Sequence, residues 1–151
     1  MLRRTFLLCV CHRPSVIWGT FLCEGSLGEE DVRRGVAAAF GIVPDDLTVV
    51  ASLLDLTTAM PFVVLRPVGG DFACAGGIVD EVHLPGARSD ILVRFAAAVG
   101  CRVVTDTELD VAPDPFGWTM ADPAGAIVRV ALDLDDEAEG VYRMRDDRLG
   151  R

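Results

Sequence analysis

Apolar and polar positions change period along this chain, and two stretches carry helical spacing. From Asp31 to Gly41, and again from Asp90 to Gly100, the order is Asp, four residues, an apolar residue, three alanines, a second apolar residue and glycine. Aligning the copies puts Val32 with Ile91, Val36 with Phe95 and Phe40 with Val99, so the large apolar residues share one helical phase. The spacing predicts helices over 27–40 and 87–99, each closed by a glycine that accepts a left-handed backbone. Ser26 with Glu29 three residues on reads as a capping box, and Glu30 and Asp31 place acid where the helix dipole favours it. The first copy has Arg33 and Arg34 where the second has Leu92 and Val93, so the second helix is expected to bury the broader face.

Between and beyond the helices the pattern turns β-like. Residues 5–10 and 16–23 are rich in apolar, β-branched and aromatic side chains, and with the Pro14 turn between them they could form a hairpin. Pro44-Asp45-Asp46 turns into 47–54, and Pro61 opens 62–66, which Pro67 and Gly69-Gly70-Asp71 close. Residues 72–82 read as a strand whose Gly76-Gly77 pair implies a bulge or a close backbone approach. A short strand is expected over 101–105, then a hairpin of 116–121 with 126–134 about Asp122-Pro123-Ala124-Gly125. In its second arm Val128, Val130, Leu132 and Leu134 alternate with Arg129, Ala131 and Asp133, giving one covered and one wetter face. Strands grouped around two separated helices predict an α+β fold, a mainly antiparallel sheet with two helices packed on it. The expected domain is 1–134, followed over 135–151 by a charged tail with too few apolar residues to require order. No glycine-rich loop joins a strand to a helix, so the dinucleotide and P-loop readings fail.

A chain of 151 residues can bury a self-sufficient core without a metal or disulfide staple. Hydrophobic residues make up 51% of it, yet no apolar run approaches the roughly 18 residues of a membrane helix. The excess serves a dense core or a partner surface. All fourteen basic residues are arginine, and Lys, Asn and Gln are absent, a usage that resembles that of G+C-rich bacterial genomes. Lysine Schiff bases and a papain-like Cys/His/Asn set are thereby excluded. The net charge of −9 is uneven: residues 106–151 hold twelve acids against five arginines, while the first 105 carry only −2. Direct nucleic-acid binding needs a basic footprint and is disfavoured; an acidic third suits a more basic protein, or simply keeps an apolar chain solvated. Five cysteines, Cys9, Cys11, Cys23, Cys74 and Cys101, lie among apolar residues and read as reduced thiols of a cytoplasmic protein. Arg3-Arg4-Thr5-Phe6-Leu7 has the look of a twin-arginine signal, but its apolar stretch stops at His12-Arg13-Pro14 without a small-residue cleavage site and fits a strand better.

Few residues carry a pattern with chemistry. Cys9, Cys11 and His12 could ligate zinc with Cys23 or His83, but their spacing departs from common zinc sites and suits thiols packed on one strand face. Cys11 and His12 as a nucleophile pair would point to opposite faces of a strand. His83 stands near Asp80 and Glu81, but Ser26, Ser52 and Ser89 lie in no G-x-S-x-G elbow. Asp106, Glu108 and Asp110 alternate like the start of a calcium loop, which fails at Val111 and Gly117. The candidate partner-binding set is therefore Asp106, Glu108, Asp110, Asp114 and Trp118: an acidic, proline-stiffened loop beside a tryptophan that could anchor an interface. The competing reading makes Phe116 and Trp118 inward anchors of the hairpin. No catalytic, metal or cofactor set is assigned.

The Gly69-Gly70-Asp71-Phe72 turn, the alanine-rich helix, Val103-Val104-Thr105-Asp106, Pro115-Phe116-Gly117-Trp118 and the Pro123-Ala124-Gly125 turn together resemble the layout of small bacterial immunity proteins of polymorphic-toxin and interbacterial-competition systems. That resemblance covers about half the chain and implies a cytoplasmic protein that binds a cognate toxin and blocks its active site without chemistry of its own. The expectation is a non-catalytic binding module for a more basic partner, engaging neither nucleic acid nor membrane. A small cysteine- or histidine-dependent enzyme and a self-associating accessory subunit, a homodimer, are the alternatives.

Overall fold

The computed structural model describes residues 15–51, 62–80, 88–106 and 117–145. The two repeat copies form helices α1, Glu29–Phe40, and α2, Arg88–Val99. The expected Ser26/Glu29 box is not what caps α1. Ser26 is exposed, Gly28 is the cap residue, and Asp31 Oδ2 accepts the Gly28 N–H at 2.9 Å. That bond and Arg34 hold the Asp31 carboxyl below its ordinary range. Both closing glycines are left-handed, Gly41 at φ +69° and Gly100 at φ +73°.

The helices lie antiparallel, Arg34 of α1 reaching Ala98 and Arg94 of α2 reaching Ala39. Gly35 permits their approach: a Cβ there would stand 2.7 Å from Val99 Cγ1 and 2.8 Å from Phe95. Neither helix has a basic residue in its last turn. The Arg34 guanidinium instead donates to Ala98 O (3.1 Å) and the Arg94 guanidinium to Ala39 O (3.3 Å), carbonyls at equivalent places in the two copies. Arg33 turns the other way, to Glu29 and to the carbonyls of Pro44 and Leu47 in the connection that follows.

The strands are β1 Ser15–Cys23, β2 Thr48–Val50, β3 Phe62–Pro67, β4 Gly69–Gly70, β5 Cys74–Asp80, β6 Val103–Asp106, β7 Gly117–Ala121, β8 Ile127–Asp133 and β9 Val141–Met144. They form one sheet in the order β2-β3-β5-β1-β6-β7-β8-β9-β4, antiparallel except at β2–β3 and β4–β9. The fold is α+β, with two helices on a mainly antiparallel sheet. Residues 5–10, expected to pair with the first strand, lie outside the described residues; β1 pairs with β5 and β6. Alternation along the central strands separates two cores. Phe21, Cys23, Ile78 and Val103 join Val32, Val36, Ile91, Leu92 and Phe95 beneath the helices. The Phe21 and Phe95 rings meet at 5.4 Å in a tilted pair, tying β1 to α2. Gly76 is the close approach expected in β5: it faces Phe21, and a Cβ would stand 2.2 Å from Val64 O.

The second core lies on the other face, where Leu22, Phe72, Ala75, Val104, Leu132 and Tyr142 are buried. Among the described residues no helix covers it; the sheet does. β4 continues the β3 strand beyond Val68, so its pairing with β9 brings the far end of the sheet back to the β3–β5 hairpin. Gly69 N donates to Gly140 O and Asp71 N to Tyr142 O, both at 2.8 Å, and the Asp71 carboxylate accepts Met144 N–H at 2.7 Å. Tyr142 is 1% exposed, and its hydroxyl accepts a bond from Arg66 at 3.1 Å.

The domain boundary at 134 is thereby corrected. Residues 137–139 form a 3-10 turn and β9 closes the second core, while 146–151 lie outside the described residues. One large aromatic among charges leaves little trace of a strand in sequence, yet burying it stabilises the closure.

Gly70, at φ +90°, sits where an added Cβ would be 2.1 Å from Tyr142 O, whereas at Gly100 it would meet open space. In urea denaturation Gly70→Ala is expected to lose roughly 3 kcal/mol or more, against about 1 kcal/mol for Gly100→Ala. Equal losses would refute the close-approach account. Tyr142→Ala should cost about 3–5 kcal/mol, and deleting 135–151 should abolish cooperative unfolding.

Candidate functional site

Strand register places the acidic segments. β6 ends at Asp106, whose backbone pairs opposite Trp118, and Gly117 pairs opposite Ala131 near the end of β8. The β6–β7 and β8–β9 connections therefore leave from one end of the sheet. Of the expected site residues, Asp106 and Trp118 are neighbours there; Glu108, Asp110 and Asp114 lie in 107–116, outside the described residues. Trp118 is half-buried and packs on the second core with Met120 and Val130. Its ring is partly an inward anchor, as the competing reading held, with some of its surface open to solvent.

The end of β8 and the β8–β9 connection supply further carboxylates, all but Asp133 from the stretch expected as a tail. Asp133, Asp135, Asp136, Glu137 and Glu139 fall within seven residues. Asp133 Oδ1 accepts Asp135 N–H at 3.0 Å, turning the chain out of β8. Asp136 pairs with Arg143 at 2.7 Å, and Gly140, at φ +73°, ends the 3-10 turn. Asp135, Glu137 and Glu139 are exposed. The sequence trace of this arrangement is slight: the acidic run is followed by Gly140 and then by the short stretch Val141-Tyr142-Arg143-Met144.

The opposite end of the β7–β8 hairpin differs in character. Asp122 Oδ1 accepts the N–H groups of Ala124 and Ala126 at 2.9 Å, fixing the turn, and beyond it Ile127 and Val128 are 44% and 46% exposed. Apolar exposure and negative charge thus occupy opposite ends of the hairpin.

The catalytic alternatives centre on Cys9, Cys11, His12, Glu81 and His83, all outside the described residues, as is Ser52. Among the described residues no group of three or more His, Cys, Asp or Glu is placed to hold a metal ion, and no helix is long and apolar enough to cross a membrane. Comparison with protein-family models, curated proteins and solved structures finds no match to this chain.

Because Glu137 and Glu139 are exposed, converting both to Gln is expected to leave unfolding free energy within about 0.5 kcal/mol. Removing the Arg143 side chain should cost at most about 1 kcal/mol, the ordinary worth of a solvated ion pair. Denaturant titration checks both.

Proposed function

We propose that this protein is a non-catalytic binding module that takes a more basic protein partner on the acidic end of its sheet, in the manner of an immunity protein neutralising a cognate toxin. The observation that supports the reading is convergence: the exits of β6 and β8, each leading into acidic sequence, share one end of the sheet beside Trp118. Carboxylates gathered at one pole attract a basic surface from a distance and orient it before contact. Trp118 would add the apolar contact that charge alone does not give, with Asp106 paired opposite it and Glu108, Asp110 and Asp114 in the sequence that joins the two strands.

The test begins by co-expressing the chain with the product of the adjacent gene and assaying co-purification and protection from toxicity. Recovery of the chain alone, with no protection, counts against the proposal. With a partner in hand, neutralising Asp135, Glu137 and Glu139 together is expected to slow association about tenfold at low salt and flatten its salt dependence. Unchanged kinetics would remove the acidic pole from the interface.

A further inference from the structure

Beneath the helices three thiols meet that no reading so far has used. Cys23 and Cys74 are directly paired across β1 and β5, and both are buried. Cys101 follows the glycine that ends α2, two residues before Val103, the β6 partner of Cys23. The ladder continues past that pair, with Glu24 N donating to Arg102 O at 3.1 Å. Cys101 therefore lies diagonally across from Cys23 on the same face. Cys74 Sγ donates to Gly25 O at 3.4 Å and a Cβ at Gly25 would stand 3.5 Å from Cys101 Sγ, so the thiols gather beside Gly25, and of the three Cys101 alone is half-exposed.

We infer that Cys101 is a peroxide-reactive cysteine and that Cys23 is its resolving partner. Attack of the Cys101 thiolate on hydrogen peroxide breaks the O–O bond, leaving Cys101 as sulfenic acid and releasing hydroxide, which is protonated to water. The Cys23 sulfur then attacks Cys101 Sγ, the S–O bond breaks, and the departing hydroxide leaves as water with the proton of the Cys23 thiol. Two thiols lose two electrons to one peroxide, giving one disulfide and two waters.

The surroundings suit these roles. The hydrogen bond from Cys23 draws the Cys101 thiol down to about 7, helped by the backbone N–H groups of Gly25 and Glu24 and opposed by burial and the Glu24 carboxylate. Arg102 ion-pairs with that carboxylate. Contact with the other two thiols, Cys101 foremost, and burial push the Cys23 thiol up, so it keeps its proton until the second step. Contact with Cys23 lowers the Cys74 thiol as well, against burial and the Cys101 charge, but Cys74 is buried where Cys101 is half-exposed.

The full chain is treated with hydrogen peroxide, remaining thiols are alkylated, and a non-reducing peptide map is read. The expected product is a Cys23–Cys101 bond with Cys74 still a free thiol. It should be abolished by Cys101→Ser and retained in Cys74→Ala. In Cys23→Ala, provided its circular dichroism matches the parent, a sulfenic-acid probe should label Cys101. Should that variant not fold, the pH profile of the parent decides the nucleophile. Loss of the Cys101 thiol should accelerate about tenfold from pH 6 to pH 8 and then level, where a thiol of ordinary pKa would gain roughly a hundredfold and still be rising. A Cys23–Cys74 bond, an unmodified Cys101, or Cys101 driven to sulfinic acid without a disulfide would each overturn the assignment.

Discussion

The backbone contact between Gly70 and Tyr142 is the constraint on which the second half of the structure depends. Two residues of β4 lie so close to β9 that no side chain fits at Gly70, and around them Gly69 and Asp71 add hydrogen bonds to the same segment. A sheet with helices on one face must cover its other face. In this protein twist and closure do so: the far strands are drawn back to the β3–β5 hairpin, and Leu22, Val104 and Leu132 become a core instead of an exposed apolar surface. Tyr142 fills that core while Arg66 satisfies its hydroxyl, so a buried polar atom costs little at the seam.

The helical layer is held on different terms. Gly35 lets α1 and α2 approach at Phe95 and Val99, and crossed guanidiniums serve the last-turn carbonyls that neither helix can serve with its own residues. The arginines that interrupt the apolar repeat of the first copy are thus structural. Arg34 reaches the opposite helix and Arg33 fastens the chain leaving α1, while Leu92, at the place of Arg33, is wholly buried. Repeat and interruption together specify a pair of helices with distinct roles.

The same architecture positions the chemistry. Register brings acidic exits to one pole while leaving Trp118 part in the core and part in solvent. It also brings Cys23, Cys74 and Cys101, separated by tens of residues, to one point beneath α1 and α2. The acidic exit leaves the end of β6 while Cys101 stands just before its start, so a change at one need not disturb the other.

Local pattern alone determined the helices, their closing glycines, the close approach at Gly76, the β7–β8 hairpin and the antiparallel α+β class, because each depends on periodicity or on backbone freedom within a few residues. The capping of α1 escaped it, since Ser26 with Glu29 and Gly28 with Asp31 have the same spacing and only the chain's entry path selects the second pair. So did β9, whose single large aromatic is buried by strands far away in sequence. The acids at one end and the three thiols together were decided only by tertiary structure. Pairing partners and sheet closure arise from contacts between distant segments, and a one-residue change of register would send each of those side chains to the opposite face.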